Sequence, residues 1–312
     1  MRYILSIFLA CGTLAVVGCG SKPPVGLHAD AVLQKYVPTD TTMLAGVEVE
    51  KVEQSPLYQR LLGQLKPEHV NEVVQHLGFD PRKDVTAVLI ASNGRDTVAL
   101  ARGKFPVQQL EEKFEQGHMR RSKYKGHEFF EDGRHAVSFL RKDVIAAAEV
   151  PAMKRLVDHT DGRIPEALQA RLAKLRKDAT VWVVSDGGLP LMGVRLQQNV
   201  ESALSNIRGY VTGVTAGAAF DDGVHFQGDV DCISPEGAQR VHDALRGGIG
   251  LARLATNDNA MELLRLYDSI KVDKSDKQVK VSADVAGSLI EKIWPRLPQM
   301  GERVRQRMEN AQ

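Results

Sequence analysis

His225, Gln227, Asp229 and Asp231 fall at every second position of "VHFQGDVDC", and Asp221 and Asp222 precede that run across Gly223. Carboxylates two residues apart on a strand share a face about 7 Å from each other; with a histidine they have the composition of a divalent-metal site or an acid/base pair. His225, Asp229 and Asp231 are therefore the candidate cluster, and a metal-dependent hydrolase is the chemistry they would serve. The same alternation marks any half-exposed antiparallel strand, so a solvated face stands beside the site as a reading. Other catalytic templates are missing. The nine histidines include no His-Glu-x-x-His and no pair one helical turn apart, and there is no Cys-x-x-Cys and no Gly-x-Ser-x-Gly elbow. "RGGIGLARLA" has the glycines of a phosphate loop but follows a helical pattern instead of a strand and lacks the lysine, so it reads as a flexible link between helices. These absences predict a chain that is not an enzyme and holds no metal.

The elements that position the cluster are a hairpin and a helix. In "VTGVTAGAAFDDGVHFQGDVDCISPEGAQRVHDAL", Asp222-Gly223 marks the turn, Val224, Phe226, Val230 and Cys232 form the apolar strand face, and Ser234-Pro235 opens a helix carrying Ala238, Val241 and Leu245. Cys232 there reads as a small core residue. An earlier stretch, "DVTAVLIASNGRDTVALARGKFPVQQLEEKF", has the same order around Asn93-Gly94, but its strand places Val98, Leu100 and Arg102 where the later one has the polar cluster. Downstream, "HEFFEDGRHAVSFLRKDVIAAAEVPAMKRLV" and "DSIKVDKSDKQVKVSADVAGSLIEKIW" both run from strands into a helix.

Before the first hairpin, Met43, Ala45, Val47 and Val49 alternate as on a strand with one buried and one more polar face. Ser55-Pro56 then starts a helix lined by Tyr58, Leu61, Leu62 and Leu65, and a second helix over 67–77 stops at Gly78. The fold class is α+β, read as a tandem duplication of a unit with an antiparallel sheet and helices packed on one face. The halves are residues 31–165 and 166–312, the second ending in amphipathic helices with Ile290, Ile293, Leu297, Met300, Val304 and Met308 at three-four spacing, kinked at Pro295 and Pro298. Two unrelated hairpin-plus-helix units are the alternative.

The start of the chain addresses location. "MRYILSIFLACGTLAVVG" has one basic residue, Arg2, then an uncharged apolar run shorter than the ~20 residues that span a bilayer, and reads as a removed targeting segment. Val16, Val17, Gly18 and Cys19 resemble the lipobox of bacterial lipoprotein precursors, with valine in place of the commoner leucine at −3. The resemblance implies that Val16, Val17 and Gly18 are read by the lipoprotein signal peptidase. It further implies that Cys19 becomes the lipidation site, carrying a covalent diacylglycerol on its thiol and an acyl chain on its new amine, with no other cofactor. Gly20 at +2 is not the aspartate that holds such proteins at the inner membrane, which favours the outer membrane facing the periplasm. Residues 19–30, ending "GSKPPVGLHAD", form the lipidated tether. Over most of the mature part, the order of elements is similar to duplicated α+β secreted proteins and lipoproteins of unassigned function.

With Cys11 removed and Cys19 lipidated, Cys232 has no intramolecular partner, and stability must come from a core suited to the 43% hydrophobic content. Removing Arg2 takes the net charge from +2 to +1, which argues against nucleic acid as a partner. The basic stretches around Arg120, Arg121, Lys123 and Lys125 and around Arg303, Arg305 and Arg307 are diluted by neighbouring acids and read as solvated faces. The expectation is a lipid-anchored envelope protein acting by binding, through protein interaction or envelope assembly. Its partners are the membrane through the anchor and an envelope protein, or a lipid or small apolar ligand carried between the halves.

Overall fold

Met43–Val47 (β1) is buried on both faces, Met43 and Leu44 alike. The alternation predicts one polar face, but the strand lies mid-sheet, paired antiparallel with Val85–Ser92 (β2) on one side and Val181–Asp186 (β8) on the other. In a sheet covered on both faces, neither side of a central strand stays polar. Gly46 is required by that position: a Cβ there would lie 2.3 Å from the Trp182 ring on β8. The computed structural model describes residues 26–62, 79–158, 162–189, 205–257 and 259–296. Cys19 with its lipobox, the helix read over 67–77, and the positions from Leu297 onward, including Arg303, Arg305 and Arg307, lie outside them.

On the β2 side follow Thr97–Gly103 (β3), Val144–Glu149 (β7), His135–Arg141 (β6), His127–Glu131 (β5) and Arg120–Tyr124 (β4). On the β8 side follow Val211–Phe220 (β9), Gly223–Cys232 (β10), Gln278–Ala286 (β12) and Ile270–Ser275 (β11). The whole is one antiparallel sheet of twelve strands, β11-β12-β10-β9-β8-β1-β2-β3-β7-β6-β5-β4. Read outward from the β1/β8 pair, β1-β2-β3-β7-β6 matches β8-β9-β10-β12-β11, the relation a two-fold axis perpendicular to the sheet produces; β4-β5 is an added hairpin. The fold is thus α+β, and the sheet runs unbroken across the 165/166 boundary.

Helices flank both faces instead of the single face expected. Val150–Asp158 (α5) and Glu166–Leu172 (α6) bury Met153, Leu156, Leu168 and Leu172 against Leu44, Leu89, Leu100 and Trp182 in the larger core. Val107–Gln116 (α4) lies across the opposite face, over Val88, Ala99 and Ala101. Pro235–Leu254 (α7) buries Ala238 and Val241 with Val214 and Val279 in a smaller core, and Met261–Asp268 (α8) and Gly287–Ile293 (α9) follow it. Among the described residues, three short helices, Val49–Glu53, Pro56–Leu62 and Pro81–Asp84, lie between β1 and β2.

Several local expectations are corrected by tertiary context. Leu27 and Ala29, assigned to the tether, are buried in the larger core, and Asp30 accepts from the Val32 and Leu33 amides ahead of the 3-10 turn Leu33–Tyr36 and pairs with Arg102 at 2.8 Å, so the fold begins before residue 31. Gly247, Gly248 and Gly250 lie inside α7 and do not link two helices. The helix opened by Ser55 turns Leu57 and Leu61 inward, leaving Tyr58 and Leu62 half-buried. Asn93-Gly94 begins a four-residue loop in which the Asn93 side chain accepts from the Arg95 and Asp96 amides. Asp221 and Asp222 form the later turn, and Gly223 opens β10. Ser234 caps α7 as read, its Oγ accepting from the Gly237 amide at 3.1 Å.

Candidate functional site

His225, Asp229 and Asp231 do share a face of β10, but they do not converge. His225 and Asp229 are four residues apart, about 13 Å along a strand. The His225 ring is held at both nitrogens: Nδ1 lies 2.7 Å from Asp284 on β12, and Nε2 lies 3.1 Å from Asp221 in the turn. The Asp284 hydrogen bond and the charge of Asp221 outweigh desolvation and push the imidazole above its ordinary pKa. Asp231 accepts from Arg171 of α6 at 2.6 Å and from Gln278 of β12 at 2.9 Å. Burial raises its pKa, but Gln278 and Arg171 outweigh it and hold the carboxyl below the usual range.

Asp229, between them, is buried and has an oxygen, Oδ1, with no hydrogen-bond partner among the described residues. Burial pushes this carboxyl up, against the nearby charge of Lys280. Among the described residues, no group of three His, Cys, Asp or Glu side chains is placed to hold a metal ion. The polar cluster is a set of separate braces tying β10 to β12, to the turn and to α6. Cys232 is buried beside it as a free thiol, its pKa raised by burial and by Asp231.

Three of the four cations of the basic stretch, Arg120, Arg121 and Lys125, are similarly paired. Arg121 meets Glu111, Glu115 and Glu128, Arg120 meets Glu131, and Lys125 meets Asp158 at 2.6 Å.

An apolar concavity lies on the other face. Between α4 and the first half of the sheet is a half-open cleft of about 470 Å³. Its floor is Val88, Ala99, Ala101, Val137, Ile145 and Ala147, all on one face because paired residues point the same way: Val88 with Ala101, Ala99 with Ala147, Ala101 with Ile145. Small alanines on β3 and β7 leave the space that larger side chains would fill. Leu110 and Phe114, four apart on α4, supply the wall, and Phe79 closes one end. Rings run on from there: Phe79 meets Phe105 at 5.7 Å, Phe105 and Phe114 each meet Phe139 at 6.4 Å, and Phe114 meets Phe130 at 5.3 Å. A concave, largely apolar site of this volume matches the usual build of a small-molecule pocket. Sequence reasoning missed it; the available signal was the run Ala99, Ala101, Ile145 and Ala147, apolar on the face that a one-sided strand would leave polar.

No protein-family model matches the chain, and no curated protein matches it. Among solved structures it is similar to crystal form III of TP0453, with TM-score 0.47 and 10% identity over 85% of this chain and 98% of that one. Crystal form I gives 0.44 and 11% over 86% and 97%, and crystal form IV 0.46 and 10% over 83% and 95%. Among the described residues, no helix is long and apolar enough to cross a membrane.

Proposed function

We propose that this chain is a lipid-anchored protein of the bacterial cell envelope that works by binding, holding an apolar ligand such as an acyl chain in the cleft beneath α4. The observation that carries the reading is the cleft itself: about 470 Å³ lined by aliphatic and phenylalanine side chains, with Lys113 of α4 as its one charged lining residue among those described. An engineered cavity of ~150 Å³ already holds benzene. The anchor rests on Val16, Val17, Gly18 and Cys19, and the glycine at position 20 favours the outer membrane facing the periplasm. Two acyl signals on one cysteine give stable attachment, since each buried methylene contributes ~0.8 kcal/mol.

Titration with a fluorescent fatty acid tests the ligand. Saturable one-to-one binding, competed by palmitate, is expected, with affinity falling at least tenfold in Ala99→Phe and Ala147→Phe variants that keep the wild-type circular dichroism. Equal binding by wild type and both variants contradicts it. The anchor is tested separately: radiolabelled palmitate is expected to label the wild-type precursor in cells but not Cys19→Ala.

A second reading, docking to an envelope protein, rests on the far end of α7 and the start of α8. Leu251, Leu254 and Met261 are 69%, 84% and 53% exposed there. Exposed apolar side chains grouped at a helix end are what a partner surface offers. Crosslinking of the lipidated protein in its own envelope, lost in a Leu251→Ser/Leu254→Ser double variant, would support it.

A further inference from the structure

On the face opposite the cleft, a pocket of about 270 Å³ lies where the loop before β1 and the β2–β3 hairpin meet α5. Its apolar base is Ala91, Val98 and Leu156, each at least nine-tenths buried. The rim is charged. Asp40 receives one hydrogen bond, from Asn93 Nδ2 at 2.6 Å, and has no cationic partner among the described residues. Asp96 is paired with Arg155 at 2.5 Å. Two carboxylates against one guanidinium leave an excess negative charge at the mouth.

A second observation is independent of that charge. Thr41 lines the same pocket and is only 4% exposed, yet its hydroxyl has no hydrogen-bond partner among the described residues. A hydroxyl on the wall of a cavity, with no hydrogen bond to a described residue, is open to whatever fills the space. We infer that this pocket binds a small ligand made of a protonated amine on an apolar body, the ammonium at Asp40 and Asp96, the body on Val98 and Leu156. The size follows from volume: the space is roughly twice the ~150 Å³ that accepts benzene. The charge follows from Asp40, which a neutral or anionic ligand leaves without a cation. The site does not depend on the apolar cleft, because Ala91 and Val98 point to the opposite side of the sheet from Ala99.

Isothermal titration of the mature protein with 2-phenylethylamine, and with 3-phenylpropionate and phosphoethanolamine, tests this. Saturable one-site binding of the amine alone is expected; phosphoethanolamine is expected to fail because its phosphate meets Asp40. Asp40→Asn should weaken the amine at least tenfold. Arg155→Gln, which frees Asp96, should tighten it, a change of sign that damage to the fold does not produce. Binding of 3-phenylpropionate or phosphoethanolamine as tight as that of the amine would overturn the inference. So would the absence of saturable amine binding, an unchanged affinity in Asp40→Asn, or a weaker one in Arg155→Gln. Repeating the titration in Ala99→Phe keeps the two sites separate: amine binding is expected to survive there even if the fatty acid never binds.

Discussion

β3 and β10 occupy matching places in the two halves of one sheet, and they differ on the same face. β3 turns Val98 and Leu100 under α5, α6 and the segment from Leu27 to Val37, whereas β10 turns His225, Gln227 and Asp229 to a face where Arg171 of α6 reaches in to the neighbouring Asp231. On β3 this face is apolar and packed into the larger core; on β10 it is polar and half-buried, with Asp229 buried among residues braced by ion pairs. The most chemical-looking run in the sequence is a set of structural braces, while the apolar space lies where small alanines line β3 and β7.

That contrast can be broken most forcefully at its covered end. Leu100→Ala should cost about 3 kcal/mol in urea unfolding, as other buried leucines do, whereas Gln227→Ala should stay within about 0.5 kcal/mol. Equal costs would mean that the two faces are packed alike. Arg171 comes next, because it is mostly buried and holds both Asp231 and Asp186. Arg171→Ala should lose about 2 kcal/mol, the scale of hydrogen bonds to charged groups.

Two smaller effects sharpen the reading of β10 as a braced surface. Asp229 has a pKa raised by burial, so its ionised form is disfavoured in the folded state. Asp229→Asn should therefore raise the melting temperature at pH 7, with the gain vanishing below the ordinary carboxylate pKa of ~3.9, where the wild-type group is protonated in both states. His225 has a raised folded pKa, so its contribution is fully present below the unfolded value of ~6.5 and is lost as pH rises through the folded value. His225→Gln should be less stable than wild type at pH 5.5 and should converge with it at high pH. A pH-independent difference would remove Asp284 and Asp221 from the explanation.

The legible parts of the fold were local. Ser234-Pro235 opening α7, the hairpin after Ser92, and the repeated hairpin-then-helix order all follow from residues close in sequence. What escaped was long-range. Nothing near Met43 reports that β8 will pair with it across more than a hundred residues, and so its second buried face was not visible. Leu27 and Ala29 sit in a Gly- and Pro-rich stretch whose composition argues for a tether, yet two apolar side chains and the Asp30–Arg102 pair hold it to the core. The cleft needed register: Ala99 and Ala147 become one floor only once β3 is paired with β7.

The most direct measurement is the native mass of the protein released from its own envelope in mild detergent, for wild type and Ala99→Phe. A wild-type species carrying one additional acyl-lipid mass, absent from the variant, is the predicted result. The same mass for both proteins, with no additional acyl lipid, would contradict a ligand-binding cleft and move the search to the Leu251–Leu254 surface.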